Sequence, residues 1–68
     1  MLNYLLVDKV MDDIIYEGGN KGELIYELES YIANNPHIDK TKITPNDLQL
    51  LRYSSLKEIG ICVYAFKK

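Results

Sequence analysis

Sixty-eight residues, 47% apolar and 26% charged, describe one small globular domain, 1–68, and exclude a disordered chain. A single Cys and a single His exclude an internal disulfide and a zinc staple, so neither a metal nor a cofactor is expected. Net charge is −2 but divided: Asp8, Asp12, Asp13, Glu17, Glu23, Glu27 and Glu29 load the first half, whereas Lys40, Lys42, Arg52, Lys57, Lys67 and Lys68 load the second.

A core this small rarely supplies more than roughly 3–5 kcal/mol, which favours a homodimer. The opening MLNYLLVDKV has no basic stretch, and Asp8 and Lys9 break its apolar run. Neither a signal peptide nor a membrane span is expected, and a cytoplasmic, reducing location follows.

The first element expected is a helix over 3–17. Leu6, Val10 and Ile14 recur at steps of four, beside a second row of Val7, Met11 and Ile15. Asn3 is its N-cap and Gly18 its stop. A second helix is expected over 21–34, with Leu24, Leu28, Tyr31 and Ile32 on its buried side. Asn20 and Glu23 form its capping box, and Asn34, Asn35 and Pro36 end it. A rival reading makes residues 14–28, IIYE-GGNKG-ELIYEL, a β-hairpin, because Leu24, Tyr26 and Leu28 also alternate. The helical stripe continues beyond both ends of that segment, which favours the helical hairpin.

Residues 40–43 offer a short strand within the connection that follows. TPND then opens a third helix, with Thr44 as cap, Pro45 in the first turn and Asp47 reaching back. Leu48, Leu51 and Leu56 form its buried side. The last stretch, IGICVYAFKK, is rich in β-branched and aromatic residues and reads as a strand. Ile61, Val63 and Ala65 fall on one face and Cys62, Tyr64 and Phe66 on the other, so both faces are expected to be covered. Its partner is either the strand at 40–43, through a helical crossover, or the same strand of a second subunit. The fold class is therefore α+β and mainly helical, in the order α-α-(β)-α-β: a helical hairpin, a capped third helix and a C-terminal strand in a small sheet.

EGGNKGE, residues 17–23, invites a phosphate-loop reading. Lys21 is followed by Gly22 rather than Ser or Thr, and the preceding segment reads as helix, so a turn between helices is expected. The carboxylate pairs Asp8/Asp12, Asp13/Glu17 and Glu23/Glu27 are four residues apart, which suits a solvated helix face. Ser54, Ser55 and Cys62 lack the neighbours that activate a nucleophile, and His37 reads as an exposed loop residue, so no enzyme is expected. Two readings remain. The first is a non-enzymatic protein-interaction or regulatory module, binding a basic protein partner through an acidic helical face with Asp12, Asp13, Glu17 and Glu27 as contacts. The alternative is a small dimeric DNA-binding regulator of winged-helix-like type. It uses the third helix and the basic half, with Lys40, Lys42, Gln49, Arg52 and Lys57 on nucleic acid.

Overall fold

The computed structural model describes residues 2–67. The elements are β1 (Leu2–Asp8), β2 (Asp13–Gly18), α1 (Lys21–Asn34), α2 (Pro45–Gln49), α3 (Tyr53–Glu58) and β3 (Ile61–Lys67), with a single 3₁₀ turn at Lys40–Lys42. The three strands form one antiparallel sheet in the order β2-β1-β3. The expected order α-α-(β)-α-β is overturned: the true order is β-β-α-α-α-β, and the first expected helix is a β-hairpin.

Local chemistry explains that reversal. Asp8 Oδ1 accepts from the backbone N–H of Val10 at 2.9 Å and of Met11 at 3.4 Å, folding the chain back at the end of β1. Such a bond from Asp to nearby backbone competes with helix formation. Asp12 takes φ +60°, a conformation Asp tolerates better than most residues. The period-four rows therefore run across a loop: Val10 and Met11 sit in it, exposed, rather than on a buried stripe. The rival hairpin is also displaced, because its second half, from Lys21 on, is helix.

Pairing of β1 with β2 runs from Tyr4↔Gly18 to Asp8↔Asp13, and the register shifts between Leu6 and Val7. Leu6 faces Tyr16 while Val7 faces Ile14, so Ile15 is an extra residue and makes a β-bulge. β3 pairs with the other edge of β1, from Leu2↔Lys67 to Asp8↔Ile61. The expected strand at 40–43 is not there, since Lys40–Lys42 is a 3₁₀ turn capped by Asp39, and β3 pairs instead with β1 of the same chain.

EGGNKGE links a strand to a helix, not two helices. Asn20 caps α1 by accepting from Glu23 N–H at 3.1 Å, and the Tyr16 hydroxyl bridges the N–H and C=O of Asn20, each at 3.2 Å. Among the described residues, Gly60 is the glycine with positive φ, and the glycines of this loop are not in the left-handed region.

Thr44 and Asp47 form the expected capping box: Thr44 Oγ1 accepts from Asp47 N–H at 3.2 Å, and Asp47 Oδ2 from Thr44 N–H at 3.0 Å. The helix they start is short. Arg52 N–H bonds to Asp47 C=O at 3.0 Å, Leu51 N–H to Leu48 C=O at 3.1 Å, and Leu51 takes φ +50°. That is a Schellman ending, normally built on glycine. Leu51 is buried, so burial of its side chain offsets the backbone strain. The single third helix thus becomes α2 and α3.

α1 and α3 lie against one side of the sheet, and α2 packs on α1. Leu6 of β1, Leu24, Leu28 and Ile32 of α1, Ile38, Leu48, Leu51, Leu56, Ile59 and Ile61 form one buried cluster. α1 lies chiefly under β2, and α3 under β3. Among the described residues no helix is long and apolar enough to cross a membrane.

Candidate functional site

Two features outside the plain core stand out. The first is Asp8, whose side chain is fully buried. It ends the central strand, faces inward with Leu6, and collects hydrogen bonds from three separate segments. Besides the hairpin N–H groups, the Tyr31 hydroxyl of α1 donates to Oδ2 at 2.6 Å, and His37 Nε2 lies 2.6 Å from the same oxygen. An ionised carboxylate only accepts, so Nε2 carries the hydrogen. Burial alone would push the Asp8 carboxyl up, but the Tyr31 hydroxyl, His37 and the two backbone N–H groups outweigh it and hold the group below the ordinary carboxylate range. The Tyr31 phenol is pushed well up, by burial first and then by its bond to Asp8 and the charges of Asp8 and Asp13. The rings of Tyr31 and His37 meet edge to face.

An Asp–His pair is half of a general-base apparatus. Here the carboxylate is shared with a tyrosine, and among the described residues no serine, threonine or cysteine is hydrogen-bonded to His37. The arrangement joins the hairpin turn, α1 and the connection after it. Its chemistry is that of a polar clamp.

The second feature is the side of the sheet that the helices leave open. Strand alternation and the observed register put Leu5 and Val7 of β1, Ile14 and Glu17 of β2, and Cys62, Tyr64 and Phe66 of β3 on this side. Ile14 is 65% exposed, Tyr64 47% and Phe66 41%. Within the chain only one face of β3 is covered, where both are expected to be. An antiparallel sheet with one wet face normally alternates apolar-in and polar-out, and this one does not.

The acidic helical face does not exist as expected, because its first half is the hairpin. Asp12 sits in the exposed loop between β1 and β2. Asp13 lies opposite Asp8, with Oδ2 3.3 Å from the Tyr31 hydroxyl. Glu17 is on the open side of β2, opposite Leu5. Glu27 is on α1 and shares a shallow hollow with Ile15, Ser30 and Tyr31. Of the four, register places Glu17 alone on the open side.

The basic set is also divided. Lys40 and Lys42 belong to the 3₁₀ turn, Gln49 Nε2 donates to Glu29 at 3.3 Å, and Arg52 Nε pairs with Asp47 at 3.4 Å. Lys57 lies on α3. The expected third helix, carrying Gln49, Arg52 and Lys57 together, is broken at Leu51, so Gln49 ends α2 and Lys57 lies on α3.

No family model, curated protein or solved structure matches this chain. Function therefore rests on geometry. Among the described residues, no three His, Cys, Asp or Glu side chains are grouped to hold a metal ion.

Sequence reasoning placed Asp8 on a solvated face and His37 alone in a loop. The two are 29 residues apart and neighbours in space. The available signal was local: an Asp between an apolar run and a charged loop is a strand-ending turn former. Nothing in residue spacing points to its partners.

Proposed function

We propose that this chain is a non-enzymatic protein-interaction module that docks a partner protein on the open side of its sheet. The observation that carries this reading is the exposed apolar surface of Ile14, Tyr64 and Phe66, with half-buried Leu5 and Val7 between them, on a sheet whose other side is already packed. Apolar patches of this kind on small domains mark interaction sites. Tyr64 and Phe66, on the edge strand β3, supply rigid area with, for Tyr, a polar tip.

Charge narrows the partner. Among the described residues Glu17 is the one charged side chain that register places on this surface, and Asp12 stands on the adjoining loop with Val10 and Met11 exposed beside it. A partner with an apolar strip and a basic flank complements both. A second copy would bring no cation to Glu17 through this surface. The dimer expected from size is therefore not part of the reading, and a monomeric mass at high concentration is the expected result.

The test uses a defined probe, an amphipathic helical peptide with leucines on one side and lysines on the other. Titrated into ¹⁵N-labelled protein, it should shift the amides of Leu5, Val7, Ile14, Tyr64 and Phe66. Glu17→Lys and Phe66→Ser should each weaken it. Shifts elsewhere, or equal binding of a leucine–glutamate counterpart, refute the reading.

A further inference from the structure

The sheet has two edges, and they differ. β2 carries a bulge at Ile15 and the charges of Asp13 and Glu17, devices that discourage another strand from pairing there. β3 is seven residues long and has no bulge, no proline and no charge between Ile61 and Phe66. Among the described residues, no strand neighbours its outer row of backbone N–H and C=O groups.

Alongside that edge runs a groove of about 560 Å³ between α3 and β3. Tyr53, Ser54 and Lys57 line it from the helix, and Ile61 to Tyr64 from the strand. Lys57 is the one charge in its lining, and it makes no ion pair among the described residues.

We propose that the free edge of β3 captures an extended peptide segment in which acidic and apolar residues alternate. Addition of a strand to an exposed edge supplies affinity through main-chain hydrogen bonds, and the flanking side chains supply selectivity. Successive residues of the added strand point to opposite sides of the sheet. On the helix side they meet the Lys57 ammonium and the Tyr53 and Ser54 hydroxyls, which fit carboxylates. On the other side they extend the surface of Cys62 and Tyr64, which fits apolar groups. Lys57 makes the choice of acid over base, since a basic segment would bring like charge into the groove. This site is an edge where the proposed docking surface is a face, and each stands or falls without the other.

The probe is a capped heptapeptide of alternating valine and glutamate, compared with its valine–lysine counterpart, in ¹⁵N NMR titrations of the whole chain. The glutamate peptide should shift the amides of Ile61–Phe66 and of Lys57. The lysine peptide should bind roughly two- to fivefold more weakly, the scale of a solvent-exposed charge pair. Lys57→Glu, a change at an exposed position, should invert the preference. Equal binding of the two peptides, an unchanged preference in Lys57→Glu, or shifts confined to Leu5, Val7 and Ile14 would overturn the assignment. So would a doubled mass with β3 amides protected in the absence of peptide, since a second copy would then hold the edge.

Discussion

Replacing Asp8 by Asn keeps the shape of the buried side chain and removes its charge. The amide oxygen can still serve the Val10 N–H, but the amide nitrogen then faces the Tyr31 hydroxyl and His37 Nε2, both of which donate to Asp8 in the native protein. Hydrogen bonds to a charged group contribute about 1.5–3 kcal/mol each, and Tyr31 retains only the longer contact to Asp13. Loss of one to two such bonds gives a destabilisation of about 2–4 kcal/mol, a large share of the stability a domain this size can hold. Urea unfolding followed by circular dichroism at neutral pH measures it directly. A fall in Tm of roughly 10–20 °C should accompany it. The pH dependence adds a second check. Because the folded-state pKa of Asp8 is depressed, its contribution is fully present above about pH 4 and is lost as pH falls through the folded-state value. Asp8→Asn should flatten that acid limb, leaving the smaller share of Asp39 and Asp47, which are held low chiefly by the Thr41 hydroxyl and the Thr44 N–H. A variant within about 0.5 kcal/mol of the native protein, or acid limbs that run parallel, would refute the view of Asp8 as a clamp.

Substitutions at three other positions test the fold that carries the proposed surfaces. Gly60→Ala should destabilise by about 1–3 kcal/mol in thermal unfolding, because Gly60 has φ +85° and an added Cβ would lie 2.6 Å from Val10 Cγ2. Thr44→Ala removes the cap of α2 and should cost about 1 kcal/mol by urea titration. At Leu51, where φ is +50°, both truncations lose buried area, but Leu51→Gly should be more stable than Leu51→Ala by about 1 kcal/mol. That order is the reverse of the one for an ordinary helical position.

Legibility from sequence followed the range of the interactions concerned. α1, the Thr44 capping box and β3 were readable because their signals are local: Asn20 before an apolar stripe, T-P-N-D, and a β-branched aromatic run. The burial of Leu48, Leu51 and Leu56 was readable for the same reason. The hairpin was not, and its cause is also the functional clue. Leu5, Val7 and Ile14 are apolar although they face away from the core, so β1 and β2 show no alternation, and chance rows at steps of four imitate a helix. The break at Leu51 was hidden because leucine there takes a conformation usually left to glycine. Of the site, the acidic residues were visible, but which of them reach the open side depends on strand register. The Asp8–Tyr31–His37 clamp depends wholly on tertiary contact.

Residues 2–8 sit in the centre of the sheet, and their two neighbours come from very different distances along the chain. The hairpin with β2 can close within about 1–10 μs, as local hairpins do. Pairing with β3 must await the docking of nearly everything between, since α1, α2 and α3 intervene. During that interval β1 presents an unpaired edge and two apolar sides at once. The risk of misassembly is therefore concentrated in the earliest-formed piece of the molecule, and β3 is the strand that ends it.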